Sequence, residues 1–496
     1  MAMILIKNSN IIDGTGKPAF KADILIKDEK IAAIGNFQNK QAEVVIDGLG
    51  LAVVPGFIDV NTDSDHHLSI FTNPLQEDFL RQGVTTVIGG HCGASLAPLL
   101  YGSLKSIRKW ADTDQINVDW RTVGELKETL KKIKIGVNFA TLAGHSTIRR
   151  DLVGEEIRDL TESELLIFQN AITQAMEDGA LGLSSGLGYA HSKNTPYFEL
   201  KRLLSAVAKR NGVYTTHLRD ERANILKSVE ETTKISEEIG VPTVISHFRP
   251  IIGFEKEFKA SLSLMESKLN VQNIYFDANP FSVSIIHIYT LLPPWVQQRN
   301  LENMLDIIND SEQQRKILDE LNNTNLHFED LTIAEAQNND YIVGKTLKEF
   351  SESRNLSPEA GLLNLMEITK MKASLFYNNI NPEILAEIIF HPRSLIGSNS
   401  ASLKERDREL DSERSNTFSR FLEMSANKNL PFENAIQKIT SLPAKIFRIN
   451  KRGLIQEGYF ADLAMLKNSK LINLIINGKL AIQDGQLTNS RNGRPL

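Results

Sequence analysis

Three side chains that bind transition metals follow short apolar runs in the middle of the chain. Cys92 lies in "GGHCGASLAPL", His217 in "YTTHLRDE" and His247 in "VISHF". One thiolate and two imidazoles suit Zn²⁺, and three protein ligands leave the fourth tetrahedral position for water. Water held there becomes a nucleophile near neutral pH. These residue types therefore favour a hydrolytic zinc site, provided that the fold brings them together.

Each of the three residues also has an ordinary structural interpretation. A single cysteine is most often a small buried side chain. A histidine near a strand is most often a packing residue with a hydrogen bond. The metal hypothesis gains its weight from their shared position at the ends of predicted strands, and it depends on the elements that carry them.

Short apolar runs alternate with amphipathic segments through the middle of the chain. Predicted strands include "VTTVIGG", "VNFATLAG", "VYTTHLRD" and "PTVISHF". Among the predicted helices, "YFELKRLLSAVAKRNG" and "ANILKSVEETTKISEEIG" each end at a glycine. Strand–helix units repeated over about 250 residues favour a (β/α)8 TIM barrel, whose catalytic side chains project from the carboxyl ends of its strands. A doubly wound sheet is the alternative, but no G-x-G-x-x-G follows an early strand.

Both ends of the chain alternate apolar and polar residues, which is typical of strands with one buried face. Examples are "ADILIKDEKIAAIG" near the start and "LINLIINGKLAIQDGQL" near the end. We expect residues 1–55 and 431–496 to form one small β-domain, with a helix at the start of the second segment. Residues 56–430 form the barrel, and the polar, mostly helical residues from about 296 to 350 are predicted to be an insertion beside its mouth.

The overall composition excludes several classes of function. The chain has 496 residues, of which 41% are hydrophobic and 24% charged, and its net charge of −5 is mild. We therefore expect neither a nucleic-acid partner nor a membrane partner. No apolar run approaches the length of a membrane span, and the first residues lack the order of a signal peptide. Because Cys92 is the single cysteine, no internal disulfide can form, and a cytoplasmic location is expected.

An ordered series of motifs resembles the N-acyl-D-amino-acid deacylases (D-aminoacylases) of the amidohydrolase superfamily. The series runs nearly end to end and includes "VVPGFIDV", "GVTTVIGGHCGASLAPL", "GALGLSSGLGYAHSKNTPYFEL", "GVYTTHLRDE", "HPRSLIGSNS" and "GYFADLAMLK". The resemblance implies a TIM barrel of the metal-dependent hydrolase type, with a β-sandwich domain built from both termini. It also implies a tightly bound Zn²⁺ on Cys92, His217 and His247, and hydrolysis of N-acyl amino acids, with the D configuration favoured.

The chain departs from the family pattern at the residues of a second metal position, which in the family binds its ion more weakly than the first. The family has a His-x-His pair after "PGFID" and an aspartate in an "IGSD"-like stretch, which acts as general base and metal ligand. Asn61 and Asp63 replace the pair, and Asn399 replaces the aspartate. Since an amide has no basic lone pair near neutral pH, the family mechanism cannot run unchanged through Asn399. We hypothesise that Asp63, at the end of the first barrel strand, supplies the missing carboxylate as a base or a ligand.

The stretch around Asp63 also allows a structural interpretation. Its Asn, Asp and Ser residues, up to Asp65, are common in turns. His66 and His67 point in different directions on an extended chain, so at most one faces the site, and surface positions are expected for both.

A substrate with a free carboxylate requires a cation, and arginine binds carboxylates through two nitrogens. The resemblance implies Arg249 and Arg414 as carboxylate binders, although solvated arginines are the alternative. It also implies that His145 of "AGHSTIRRD" lines the site. Asp220 and Glu221 of "HLRDE" are predicted to orient His217.

Three functions remain open on this evidence. The first is a zinc hydrolase of N-acyl amino acids, and its partner is a small molecule with a free carboxylate. The second is a catalytically impaired relative that retains one zinc, as the changes at Asn61, Asp63 and Asn399 would allow. The third, a hydrolase of cyclic amides, ranks lowest because no candidate for a carbamylated lysine is apparent at a strand end.

Overall fold

Eight short parallel strands surround an apolar centre in the middle of the chain. The computed structural model describes residues 3–37, 39–108, 110–111, 113–267, 273–297, 299, 301–323, 327–336, 338–402 and 416–496. Within those ranges the barrel strands are, in chain order, Phe57–Asp59, Val84–Gly89, Asn138–Thr141 continued by Ala143–Gly144, Gly182–Gly186, Val213–His217, Thr243–Ile245, Ile274–Ala278 and Ser394–Ile396.

Backbone hydrogen bonds join these strands in chain order. The first three pair in parallel, and the third to the eighth pair in a second run, because the third strand is interrupted at Leu142. The ring closes where the backbone N–H of Asn399 donates to the backbone carbonyl oxygen of Asn61 at 2.8 Å. The (β/α)8 barrel predicted from the alternation of strands and helices is confirmed.

The inside of the barrel is filled by apolar side chains. Ile58, Ile88, Val213, Val244 and Leu395 come from five different strands and are at most 1% exposed. This packing leaves no room for a site in the middle of the barrel, so functional groups must lie at the strand ends.

Helices cover the outside of the barrel, and several begin at residues that cap them. Thr122 and Thr161 each accept from a backbone N–H three residues on, while Glu125 and Glu164 complete reciprocal capping boxes. The described α-helices are Ser69–Thr72, Glu77–Leu80, Val123–Ile133, His145–Val153, Glu162–Glu177, Tyr197–Lys209, Ile225–Ile239, Glu255–Ser267, Pro294–Gln297, Leu301–Asn309, Ser311–Asn322, Leu347–Glu352, Pro358–Ile368, Pro382–Ile388, Thr417–Asn427, Phe432–Ile439 and Ser441–Ile446. Among the described residues, no helix combines the length and apolar character that crossing a bilayer requires.

One of the two predicted glycine stops differs in the structure. The helix Ile225–Ile239 ends at Gly240, whose φ of 73° is the left-handed conformation that glycine favours. The helix Tyr197–Lys209 ends earlier than expected, and Asn211 adopts the left-handed conformation there, with a φ of 57°. Asparagine tolerates that region better than most residues, so it replaces glycine as the stop.

Strands from both termini form one sheet of nine strands within the described residues. They are Met3–Ile11, Phe20–Lys27, Lys30–Gly35, Val44–Asp47, Ala52–Pro55, Leu463–Lys467, Lys470–Ile476, Lys479–Gln483 and Gln486–Leu487. The two halves meet where Ala52–Pro55 pairs antiparallel with Leu463–Lys467. Apolar side chains from both halves, such as Ile6, Ile26 and Met465, share one core. The small terminal β-domain that the alternating patterns predicted is present.

The inserted segment between the seventh and eighth barrel strands is longer than predicted and contains strands as well as helices. Val283–His287, Leu331–Ala336 and Ala373–Asn378 form an antiparallel sheet in this part of the described chain. The middle strand in that sheet, Ala373–Asn378, lies beyond the residues first assigned to the insertion. Sequence inspection missed the sheet because its strands lie up to about 90 residues apart, and local patterns do not reveal such pairings.

A buried polar network joins the barrel to the terminal β-domain. Arg452 forms an ion pair with Asp462 and donates to Asn477 Oδ1 at 2.8 Å. Asn138, on the third barrel strand, donates to Asp462 at 3.1 Å and accepts from Asn477 at 2.8 Å. The side chains of Arg452 and Asp462 are no more than 3% exposed. Their charges are therefore compensated by each other and by the neighbouring amides.

We predict that Asp462→Ala lowers the free energy of unfolding by about 3–5 kcal/mol, because Arg452 would remain as an unpaired buried charge. Urea denaturation followed by circular dichroism measures the loss. Glu156→Ala is the control, since Glu156 is 70% exposed in its pair with Arg158 and its loss should cost less than about 1 kcal/mol. Equal effects of the two substitutions would contradict the role assigned to the network.

Candidate functional site

A cavity opens at the carboxyl ends of the barrel strands, and residues from five of those ends line it. Asp63, Cys92, His217, His247 and Asn399 follow the first, second, fifth, sixth and eighth strands. The insertion contributes part of the opposite wall, including Ile286 and Glu335 on two strands of its sheet. The parallel order of the barrel thus brings together residues up to about 340 positions apart.

Cys92, His217 and His247 form a compact cluster of metal-binding atoms. Cys92 Sγ lies 3.4 Å from His247 Nε2 and 3.9 Å from His217 Nδ1. All three ligand atoms lie within 4.8 Å of one another, and no other group of this kind occurs among the residues that the structure describes. The structure brings together the three residues that the sequence singled out as ligands.

The cluster fits a zinc ion in both chemistry and spacing. Bond lengths of about 2.0–2.3 Å place the ligands of a tetrahedral zinc roughly 3.5 Å apart, close to the observed separations. Burial raises the pKa of the Cys92 thiol, but the charge of His247 and the hydrogen bonds from both histidines lower it by more. The net effect is a pKa below the usual value of a thiol. The sulfur is therefore held near the thiolate form, which is the form that binds metal.

Three residues of the site have left-handed backbone conformations. The φ angles are 53° at Cys92, 38° at His247 and 49° at Asn399. Such angles cost about 1–3 kcal/mol each for residues with a side chain and persist where the surrounding structure imposes them. Each of these residues lies two or three residues past the end of its strand, where the turn directs the side chain toward the cavity.

Glu221 and Asp277 hold His247 in place. Glu221 Oε1 lies 2.8 Å from His247 Nδ1, and the backbone N–H of His247 donates to Asp277 Oδ1 at 2.8 Å. Glu221 Oε2 lies 3.3 Å from a guanidinium nitrogen of Arg249. A carboxylate on the second ring nitrogen fixes the tautomer and orientation of a metal-binding histidine.

The predicted orienting role in "HLRDE" is therefore reassigned. Glu221 contacts His247 and not His217. Asp220 Oδ1 accepts from the backbone N–H groups of Arg222 and Asn224, so its carboxylate shapes the loop. The chain turns after His217, which points the two acidic residues in directions that adjacent positions in the sequence do not reveal.

His217 is positioned by a close approach of the "GLGY" segment. A Cβ atom on Gly188 would lie 2.6 Å from His217 Nε2, so only glycine fits there. The ring of Tyr189 lies 4.6 Å from the ring of His217, measured between centroids. This segment thus packs against a ligand of the cluster.

The amide of Asn61 lies beside a buried carboxylate. Its Nδ2 donates to both oxygens of Asp277, at 3.1 and 3.3 Å. Burial raises the pKa of Asp277 to about 6 and that of Asp59 to about 7, against hydrogen bonds that lower both. Asn61 thus stabilises Asp277, which in turn holds the His247 backbone. Asp277 was not selected from the sequence, although an acidic residue in the apolar run "YFDA" was a visible signal.

Asp63 lines the cavity and is held by His66. His66 Nδ1 lies 2.8 Å from Asp63 Oδ1, and its Nε2 lies 3.1 Å from the Ala94 carbonyl oxygen. Burial lowers the pKa of His66, but the charges of Asp65 and Asp63 outweigh it and raise the pKa to about 9. The expectation of a surface histidine was wrong, because the chain turns after Asp63 and buries the ring completely.

His67 reaches the insertion and also lines the cavity. Its Nδ1 lies 3.1 Å from Glu335 Oε1, on the strand Leu331–Ala336. Burial lowers the pKa of His67, whereas the charge and hydrogen bond of Glu335 raise it. The two neighbouring histidines therefore have different partners: His66 pairs with Asp63, and His67 pairs with Glu335 of the insertion. Glu335 could not be selected from local sequence patterns, since its partner His67 lies more than 250 residues away.

The structural interpretation of the same turn holds for two other residues. Ser64 Oγ donates to Gln76 at 2.7 Å, and Asp65 accepts from the Gly90 amide at 2.6 Å. Both residues fix the turn that carries Asp63.

Of the three residues predicted to bind substrate, one lines the cavity, one is buried away from it, and one lies outside the described residues. Arg249 lines the cavity, and its Nε has no hydrogen-bond partner among the described residues. His145 does not line the cavity: it is fully buried, with Nε2 2.8 Å from Glu199. It begins the helix His145–Val153, which turns its ring toward the helical layer. Arg414 lies outside the described residues.

The chain is similar over most of its length to a D-aminoacylase of Alcaligenes xylosoxydans xylosoxydans. The two are 30% identical over 468 residues, which cover 93% of this chain and 87% of the relative. No family model matches the chain.

Two solved structures share the fold throughout. A D-aminoacylase with a binuclear metal centre, described as having one-metal activation and second-metal attenuation, is 25% identical, with a TM-score of 0.80 and 99% coverage of both chains. An N-acyl-D-glutamate deacylase of Bordetella bronchiseptica, in complex with zinc and a phosphonate inhibitor, is 23% identical, with a TM-score of 0.81 and 99% coverage of both chains. The fold, the motif series and the identity to the Alcaligenes enzyme place this chain in the D-aminoacylase (N-acyl-D-amino-acid deacylase) family of the amidohydrolase superfamily.

Proposed function

We propose that the protein is a zinc-dependent hydrolase that cleaves the amide bond of N-acyl-D-amino acids into a carboxylate and a free amino acid. The observation that carries the proposal is the convergence of Cys92, His217 and His247 beside a cavity carboxylate, Asp63. One thiolate and two imidazoles form a three-ligand zinc site that leaves a position for water. The relatives named D-aminoacylase and N-acyl-D-aspartate deacylase support the substrate class.

Zinc held by Cys92, His217 and His247 would polarise the amide carbonyl and acidify a water molecule. The carboxylate of Asp63 would accept a proton from the water whose oxygen adds to the carbonyl carbon. The carboxyl group then returns the proton to the nitrogen of the leaving amine as the carbon–nitrogen bond breaks. Asn399 cannot take part in this transfer, because an amide does not accept a proton near neutral pH.

Arg249 is the proposed binder of the substrate carboxylate. Its side chain lines the cavity two residues beyond His247, and its guanidinium carries the positive charge that a carboxylate requires. The ion pair with Glu221 fixes the orientation of the guanidinium plane. Arg414 remains a prediction for the same role.

One tightly bound zinc is the proposed stoichiometry. The second position of the family pattern has lost both histidines and the aspartate, and Asn61 directs its amide nitrogen at Asp277.

A catalytically impaired relative that retains one zinc is the second candidate, and Asn399 is the observation that favours it. Zinc analysis and turnover of N-acetyl-D- and N-acetyl-L-amino acids separate the two candidates. Zinc together with hydrolysis of the D series supports the enzyme. Zinc without turnover in the wild type, and turnover in Asn399→Asp, would establish the impaired relative.

We predict that Cys92→Ala removes the zinc and lowers kcat/KM roughly a thousandfold or more, because the ion supplies several kcal/mol of transition-state stabilisation. Atomic absorption after dialysis and the hydrolysis of N-acetyl-D-amino acids measure the two effects. His391→Asn is the matched control, because His391 pairs with Glu266 and does not line the cavity. Full zinc content in Cys92→Ala would contradict the assigned ligand set.

We predict that Asp63→Asn keeps the zinc but lowers kcat by about 10²–10⁴-fold, the range for loss of a general base. Asp340→Asn, which changes another carboxylate of the cavity wall, should leave kcat within about threefold. Unchanged turnover in Asp63→Asn would mean that the carboxylate role has not moved to the first strand.

A further inference from the structure

His66 makes contacts that no motif of the family explains. Its ring is fully buried and stacks on Trp110, with centroids 4.2 Å apart and an angle of 11° between the planes. Both ring nitrogens face acceptors, namely Asp63 Oδ1 at 2.8 Å and the Ala94 carbonyl oxygen at 3.1 Å. Contacts to the ring face and to both ring nitrogens therefore hold the imidazole in one orientation.

The two acceptors determine the direction of the hydrogen bonds. A carbonyl oxygen accepts only, so His66 Nε2 must carry a proton to bond to Ala94. An ionised Asp63 also accepts only, so Nδ1 donates to Oδ1. This bond holds one oxygen of the carboxylate in a fixed position.

The position of Ala94 connects this pair to the metal cluster. Ala94 lies two residues after Cys92, on the turn that follows the second barrel strand. His66 therefore links the end of the first strand to the loop that carries a ligand. Since Asp63 and Cys92 stand on different strands, this contact fixes the distance between the carboxylate and the cluster.

We propose that His66 is a positioning residue for this reaction: its Nδ1–H fixes the carboxylate of Asp63, its Nε2–H anchors the ring to the Cys92 loop, and the stack on Trp110 holds the ring plane. The inference rests on the proposed function, in which Asp63 transfers the proton. Fixing the carboxylate matters because a misplacement of about 1 Å can cost about 100-fold in rate. A histidine has thus acquired a role beside the position where the family's metal-binding pair was lost.

Two substitutions separate the two ring nitrogens. The amide nitrogen of His66→Asn can occupy the place of Nδ1 and donate to Asp63, whereas that of His66→Gln reaches toward the place of Nε2 and Ala94. We expect His66→Asn to keep kcat within about fivefold and His66→Gln to lower it about 10-fold to 100-fold, with KM and zinc content little changed in both. His66→Phe retains the stack on Trp110 without a donor and should match His66→Gln. Equal kcat values for the Asn and Gln variants, or loss of zinc in both, would overturn the proposal.

A measurement without substrate distinguishes this inference from the proposed function. A ring N–H that donates to a carboxylate gives a downfield proton resonance. The lines lost in His66→Phe belong to the two ring N–H groups of His66, and the more downfield of them is assigned to Nδ1–H. That line should disappear or move upfield in Asp63→Ala and persist in Glu335→Gln, which changes the partner of His67. If the line persists unshifted in Asp63→Ala, His66 does not hold Asp63 and the inference fails. A wild type that shows the expected line but hydrolyses no N-acyl amino acid would refute the proposed function while upholding the contact.

Discussion

The convergence of one sulfur and two ring nitrogens at the barrel mouth is the constraint on which the site depends. Cys92, His217 and His247 stand at the ends of the second, fifth and sixth strands, and their ligand atoms lie within 4.8 Å of one another. Strands in a parallel barrel are held in register by their hydrogen bonds, so the positions of these ends follow from the pairing of the whole ring. Left-handed backbone at Cys92 and His247 turns both side chains toward one point. The strain of those turns is offset by the packing of the barrel beneath them, which the apolar interior provides.

Two carboxylates, those of Glu221 and Asp277, hold a histidine of the cluster in position. Glu221 contacts His247 at a ring nitrogen, and Asp277 accepts from its backbone N–H. Both carboxylates are themselves neutralised or bridged, Glu221 by Arg249 and Asp277 by the amide of Asn61. A buried carboxylate without such partners would take up a proton and lose its hold on the histidine. Asn61 thus has a local role, because a neutral donor stabilises Asp277 without requiring a cation nearby.

The sequence predicted the barrel, the terminal β-domain and the cluster because these depend on local patterns and on strand order. The alternation of "VYTTH" and "VISHF" with helical segments was sufficient to place His217 and His247 at strand ends. Contacts that depend on how the chain turns after a strand were not predictable. His66 was expected at the surface, and Glu221 was expected at His217, yet both point elsewhere because the turns rotate adjacent side chains in different directions. The pairing of His67 with Glu335 required the insertion sheet, whose strands pair over long sequence distances.

The coordinated changes at Asn61, Asp63 and Asn399 are best understood through the groups that now surround them. If the second position were merely decaying, its neighbours would have no reason to fit the new residues. Instead, the amide of Asn61 bonds to Asp277, and Asp63 is held by a buried His66 that stacks on Trp110. Burying an imidazole costs free energy unless its nitrogens are paired, and here both are. These paired contacts support the proposal that Asp63 supplies a carboxylate to the cavity and that the protein is an active hydrolase.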